Sequence, residues 1–185
     1  MGASSDKIIS ALRRFWYMEF TYRQLRSADV ADMAAIEAEA LSSQERPDLL
    51  RPNGVAVLAH CEESPHLSLG AFVGEALAGF AVLYVPDSAA EDLSLSLTTR
   101  PCGKTANFKL CIVRPPYRGH GLQCALGRRL EAEARRQGIE VLCSTVSPYN
   151  EASRRSLERL GYQRDRQLQK YGFERLLYCK RLTCV

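Results

Sequence analysis

No stretch of about 18 uncharged apolar residues occurs in this 185-residue sequence, so nothing in it reads as a membrane span. The start is basic but lacks the apolar stretch and small-residue site of a secretory signal, so a cytoplasmic location is the expectation. The opening Met1-Gly2-Ala3-Ser4-Ser5-Asp6 places Asp6 where a myristoylation signal wants Ser or Thr, which sets lipidation aside. The seven cysteines (61, 102, 111, 124, 143, 179 and 184) are odd in number and form no C-x-x-C pair. Neither a zinc cage nor a complete disulfide framework is suggested, and reduced, mostly buried thiols are expected with no metal site. Charge of one sign is scarce as well: 25 Lys and Arg against 21 Asp and Glu leave +4, too little to demand a nucleic acid, though it mildly favours anionic ligands. The arginines at 128, 129, 135 and 136 are interleaved with Glu131 and Glu133 and read as a solvated helix face. Internal repeats and low-complexity tracts are missing. What remains, 46% apolar and 25% charged residues, is the composition of one ordinary folded domain rather than a collagen, a disordered tail or a disulfide miniprotein.

Periodicity divides the chain into alternating elements. Ile8, Ile9, Leu12 and Phe15 suggest a short helix in an N-terminal extension over 1–16, ahead of a domain spanning 17–183. A first strand is expected from Glu19 to Leu25, then a helix capped by Ser27 and carrying Val30, Met33, Ala34, Ile36, Ala40 and Leu41. Glu37 interrupts that stripe and reads as a helix-edge charge reaching water, with a pocket-facing carboxylate as the sharper alternative. A short helix from Gly54 to Cys61 follows, then a hairpin of Leu67–Val73 and Leu77–Val85 around Gly74-Glu75. Pro86 to Thr105 reads as a long loop or weak edge strand. Beyond it come a strand from Phe108 to Val113, a helix with Leu122, Ala125, Leu126, Leu130 and Ala134 ending at Gly138, a strand from Val141 to Val146, a helix from Asn150 to Gly161, and two strands, Tyr162–Lys170 and Arg175–Leu182. This alternation implies a mixed α/β sheet.

Chemistry concentrates where the Phe108–Val113 strand turns into a helix, in Arg114-Pro115-Pro116-Tyr117-Arg118-Gly119-His120-Gly121-Leu122-Gln123. Exposed amides at a helix start bind anions, and glycines let main chain approach a phosphate closely, so a pyrophosphate fits; the bland alternative is a tight turn. The Walker pattern fails for want of Gly-Lys-Ser/Thr, and the dinucleotide fingerprint fails because Cys124 stands where its third glycine belongs.

Arg118-Gly119-His120-Gly121 after this strand resembles the acetyl-CoA loop of the GNAT family of N-acetyltransferases, Q/R-x-x-G-x-G/A, with Gln123 at the last Gly/Ala position. Ser147-Pro148-Tyr149-Asn150-Glu151-Ala152-Ser153, followed by Leu160-Gly161-Tyr162, resembles the family's N-x-x-A/S helix and terminal Gly-aromatic, 32 residues after Arg118. The resemblance covers about residues 106–182 and implies a single-domain, mostly antiparallel mixed sheet flanked by helices. It implies acetyl-CoA as cosubstrate, with Cys111, Ile112 and Val113 pairing with pantetheine amides, the turn from Arg118 through Gly119, His120, Gly121, Leu122 and Gln123 cradling pyrophosphate, and Asn150 holding the pantetheine arm. Asn150 also suits a helix N-cap, and Ser153 a capping or packing role.

An N-acetyltransferase must present a neutral amine to the thioester and return a proton to the thiolate. Relatives with a Glu five residues before the Asn and a Tyr seven after it have their counterparts here in Thr145 and Leu157, and another acidic position falls on Lys109, so none of these serves. Asp92, with Glu91, is a loop candidate for the base, against a reading as solvated charge. Tyr149 and Tyr171 are candidates for the acid, and Arg175 for a substrate carboxylate. A covalent route through Cys111 lacks a partnering base. The expected activity is direct acetyl transfer in a ternary complex to a primary amine, read as that of a small molecule because no acidic run for a polycation is present; a protein N-terminus, a polyamine, an amino acid and an aminoglycoside are all admitted. The alternatives are a CoA-binding sensor that has lost catalysis and a protein N-acetyltransferase. A homodimer is the one assembly the resemblance implies; neither nucleic acid nor membrane is expected as partner.

Overall fold

Apolar runs bounded by Gly and Pro become strands here, and apolar stripes at helical spacing become the helices that cover them. A computed structural model describes residues 18–182; the short helix expected within 1–16 lies outside the described residues, as does Cys184. Strands β1 (Thr21–Gln24), β2 (Leu67–Val73), β3 (Ala76–Tyr84), β4 (Thr105–Val113), β5 (Val141–Val146), β6 (Gln163–Lys170) and β7 (Phe173–Arg181) form one sheet in the order β1-β2-β3-β4-β5-β7-β6. Every neighbouring pair is antiparallel except β4 with β5. The mixed, mostly antiparallel sheet of the sequence reading is therefore the fold.

Helices α1 (Val30–Ser42) and α2 (Val55–His60) cover one face, and α3 (Leu122–Arg136) and α4 (Glu151–Arg159) the other. On the first face Met33, Ile36 and Leu58 pack on Phe72, Phe80, Val82 and Ile112. On the second, Leu122, Leu126, Leu130 and Leu157 pack on Ala81, Leu83, Ala106 and Phe108. Each such leucine contributes about 1.5–3 kcal/mol by leaving water. A Cβ added to Gly127 would stand 2.5 Å from Leu160 Cδ1, so this glycine is what lets α3 approach the end of α4.

Several local expectations are corrected. Ser27 does not cap α1: it opens a 3-10 turn (Ser27–Asp29), and the Asp29 carboxylate accepts the Arg26 amide at 2.9 Å and pairs with Arg23 at 2.7 Å. The 86–105 segment is no edge strand. It forms a 3-10 turn at Leu93–Ser96, and Leu93 with Leu97, just past the turn, joins Val141, Cys143 and Leu177 in a small third core. Asn107 Nδ2 donating to the Glu91 carbonyl at 2.7 Å, and Lys170 to that of Ala90 at 2.8 Å, tie it down. Cys61 and Cys143 are buried, but Cys111, Cys124 and Cys179 are half-buried and Cys102 exposed, fewer buried thiols than expected. Glu131 is not solvated either: it is buried and accepts from Lys180 at 2.7 Å. No helix among the described residues is long and apolar enough to cross a membrane.

Beside α2, His60 reaches Glu63 through Nδ1 at 3.0 Å and Asp87 through Nε2 at 2.8 Å. Those bonds, Asp87 first, raise its pKa above the ordinary 6.5. Neighbouring His66 accepts the Val85 amide on Nδ1, which leaves its proton on Nε2, and burial lowers its pKa. A raised folded pKa means that the His60 contribution to stability is complete below 6.5 and fades as pH rises through the folded value. Asp87→Asn retains an acceptor for Tyr84 and removes the charge. We expect urea midpoints of this variant and the parent to differ at pH 6 and to converge by pH 9; equal gaps at both pH values would contradict the assignment.

Candidate functional site

Pro115 and Pro116 stop β4 and start a 3-10 turn through Tyr117. Arg118 Nε donates to the Val113 carbonyl at 3.2 Å, curling the chain back over the strand end. His120 Nδ1 lies 3.0 Å from the Arg118 carbonyl, and its ring packs edge-on against Phe20. Gly119 and Gly121 take φ of +82° and +72°, the left-handed region that glycine enters without strain, and a Cβ on either would meet nothing within 4 Å. The face in front of the turn is open. In α3 the first ladder bond runs from the Ala125 amide to the Gly121 carbonyl at 3.0 Å. The amides of Gly121 to Cys124 therefore stand ahead of the ladder, at the positive end of a 15-residue helix.

A second helix start lies alongside. Asn150 Oδ1 caps α4 by accepting the Ser153 amide at 3.0 Å, and the Ser153 hydroxyl accepts from Gln123 Nε2 at 3.0 Å, joining the two helix starts. Between them the sheet opens. β4 and β5 pair only from Thr105 to Asn107 against Val141 to Cys143, and Ser144 Oγ donating to the Phe108 carbonyl at 2.9 Å pins the fork where they part. On the other edge of β4, Leu110 and Cys111 together oppose Ala81, a bulge in which Leu110 takes φ of +52°. A non-glycine residue held there costs on the order of 1–3 kcal/mol, and such strain gathers at functional sites.

The split produces a groove of about 570 Å³ lined by Cys111, Ile112, Val113, Arg118, Gly119, Gly121, Leu122, Gln123, Asn150 and Ser153. It continues into a cavity of about 140 Å³, the two sharing Leu49, Leu50, Cys111, Gln123 and Ser153. Of the eleven cofactor candidates only His120 is missing from the groove wall; it anchors the turn from behind. Tyr171 and Arg175 line the cavity. Burial pushes the Tyr171 phenol above its ordinary 10, so it holds its proton.

Other candidates go elsewhere. Tyr149 is exposed, its ring lying 3.7 Å beneath the Arg46 guanidinium, and it does not reach the cavity. Asp92 is consumed as a cap, accepting the Ser94 amide at 2.9 Å and hydroxyl at 2.6 Å, so the structure gives its carboxylate a structural task. Glu91 is no solvated loop charge: it pairs with Lys109 at 2.9 Å. Glu37 does not reach water. It is buried, accepting the Asn53 amide at 3.2 Å, Asn53 Nδ2 at 2.7 Å and the Gly54 amide at 3.1 Å, and so holds the α1–α2 connection against the cavity. Burial drives the Cys111 thiol far above its ordinary pKa, which disfavours a thiolate nucleophile.

Sequence reasoning missed Arg51, Asn53 and Ser144 in the cavity wall, and Arg155 and Arg159 in the groove wall. Only the last two carried a signal, their spacing of four placing both on one face of α4.

The groove suits a long anionic ligand with an amide-bearing arm: main-chain donors and arginines at one end, an unpaired strand edge along the middle. No curated protein sequence matches this chain. Among solved structures, YncA of Salmonella typhimurium, determined with its cofactor acetyl-CoA, is similar at 23% identity and TM-score 0.69, over 89% of this chain and 94% of that one. The ribosomal-protein-S18-alanine N-acetyltransferase of Escherichia coli is similar at 20% identity and TM-score 0.68, over 89% and 95%. An N-acetyltransferase of Staphylococcus aureus Mu50 follows at 16% and 0.69, over 89% and 99%. Identities this low establish the fold alone. The sequence pattern of the acetyltransferase (GNAT) family, however, matches residues 29–162, well over half of the chain. With the open turn, the forked strands and that match in agreement, the chain belongs to the acetyltransferase (GNAT) family, whose cosubstrate is acetyl-CoA.

Proposed function

We propose that the protein is an N-acetyltransferase that moves the acetyl group of acetyl-CoA to a primary amine of a small molecule, by direct attack in a ternary complex. The observation that carries this reading is the continuity of groove and cavity, which meet at Cys111 beside the β4 bulge. Acetyl-CoA, when bound, supplies an activated thioester. The main-chain amides from Gly119 to Gln123, with Arg118, hold its pyrophosphate, and the β4 edge from Cys111 to Val113 together with Asn150 takes the amides of the arm. A main-chain N–H at the β4 bulge would supply a hydrogen-bond donor to the thioester oxygen. Arg51 and Arg175 in the cavity wall lower the pKa of a nearby ammonium, so the amine loses its proton to water without a dedicated carboxylate. Tyr171, protonated at neutral pH, delivers the proton to the departing thiolate.

Amine-dependent release of free thiol from acetyl-CoA tests the reading. Tyr171→Phe is expected to lower kcat on the order of 100-fold with the acetyl-CoA KM little changed, because general acid catalysis is typically worth about 10²–10⁴. Tight CoA binding with no amine-dependent thiol release would instead fit a sensor module, and an unchanged kcat in the variant would remove Tyr171 from the mechanism.

A further inference from the structure

Arg175 is only 5% exposed, yet it has no acidic partner among the described residues. Its Nη1 donates to the main-chain carbonyl of Asp48 at 2.6 Å. Nε, shut off from solvent, has no partner, and Nη2, on the same edge of the guanidinium, makes no hydrogen bond with any described residue. The Asp48 carboxylate is committed elsewhere, to Ser147 at 2.7 Å and Arg46 at 2.9 Å. Arg51 lies 3.9 Å over the Tyr171 ring and is likewise without a carboxylate. Lys109, the third cation of the wall, is neutralised by Glu91. Among the described residues no Asp or Glu lines the cavity.

A guanidinium stays charged at any working pH, and a buried cation without a counter-charge is strongly unfavourable. Burial lowers the Arg175 pKa; the nearby Asp48 carboxylate, though bonded elsewhere, offsets part of that and Arg51 adds to it, so the charge is only partly compensated. The missing partner is an anion with two acceptor oxygens in one plane, because the vacant Nε and Nη2 edge presents two parallel donors. We propose that the acceptor amine carries a carboxylate, which this edge of Arg175 grips with Arg51 beside it. The inference rests on the transferase reading, since it takes the cavity as the acceptor's. Arg175 enters from β7 and Arg51 from the α1–α2 connection, so the carboxylate end lies between those elements and the amine points toward the bulge at Leu110 and Cys111. At about 140 Å³ the cavity admits a compact amino acid. Polyamines and aminoglycosides are disfavoured, because each extra ammonium meets Arg51 and Arg175 and no free carboxylate in the wall.

The test is calorimetry on the full chain saturated with CoA, titrated with L-amino acids, their carboxamides and spermidine, alongside thiol release from acetyl-CoA with the same compounds. At least one amino acid should bind on the order of 100-fold more tightly than its carboxamide, as expected when charge-assisted bonds are lost. Arg175→Lys keeps the charge but not the fork and should erase most of that ratio, and Arg51→Gln, at a half-buried site, should reduce it without disturbing the core. Equal binding of acid and carboxamide, or preference for spermidine, overturns the proposal. Discrimination in binding without turnover of any amine upholds the carboxylate site and overturns the transferase reading instead.

Discussion

Gly121→Val is expected to raise the acetyl-CoA KM on the order of 10- to 100-fold while the protein still folds. Gly121 sits at φ of +72°, and forcing an L-residue into the left-handed region costs about 1–2 kcal/mol, more for a β-branched one. That strain reaches KM only as far as the turn relaxes out of its binding geometry to relieve it, and a full relaxation would cost binding roughly 5- to 30-fold, since about 1.4 kcal/mol is a factor of ten. The remainder comes from the new methyl groups, which fill the open face where the phosphates approach; nothing lies within 4 Å of a Cβ there, so no packing contact of the fold is broken. Gly74→Ala serves as control. Gly74 also has a positive φ, +59°, with nothing within 4 Å, but it turns the distant β2–β3 hairpin. The control should lose comparable thermal stability with an unchanged KM. Equal KM values for parent and Gly121→Val would mean that the turn does not touch the cosubstrate.

Glu37→Ala should destabilise the fold by about 2–4 kcal/mol, seen as a lower urea midpoint at unchanged slope. Three donors lose their acceptor together: the Asn53 amide, Asn53 Nδ2 and the Gly54 amide, bonded to the Glu37 carboxylate at 2.7–3.2 Å. Bonds to a charged group are worth about 1.5–3 kcal/mol each and are not additive when they share one carboxylate, hence the range. Glu37→Gln retains one accepting oxygen and should lose about half as much. Because Arg51 and Asn53 form part of the cavity wall, the alanine variant should also raise the acceptor KM more than the acetyl-CoA KM. An unaltered midpoint would show that the carboxylate does not hold this connection.

These two residues mark the range of what the sequence reveals. The Gly119 and Gly121 turn was legible because its chemistry is local: a strand end, two prolines and two glycines announce the main-chain geometry, and the groove needs little beyond it. Asn150 was legible for the same reason, as a cap. Glu37 was not. A single charge in an apolar helical stripe gives the same pattern whether it faces water or meets donors 16 and 17 residues onward, and only the path of the α1–α2 connection decides between them. Asp92 and Tyr149 misled in the opposite way, because loop acids and tyrosines near a motif cap turns and stack on arginines as readily as they move protons. Leu93 and Leu97 alternated like an edge strand, yet a 3-10 turn buries both against Leu177, a contact set by the distant β7. The cavity wall, assembled from Arg51, Lys109, Tyr171 and Arg175, gathers three separate stretches of chain and so leaves no motif.

Everything proposed depends on the 117–123 turn gripping a diphosphate. Calorimetric titration of the unmodified protein with coenzyme A and, separately, with pantetheine addresses this directly. Saturable binding of coenzyme A, with pantetheine weaker by at least about 100-fold, is the predicted result, because pantetheine lacks the pyrophosphate that the turn is built to hold. Equal affinity for the two, or no heat from coenzyme A at millimolar concentration, would contradict it.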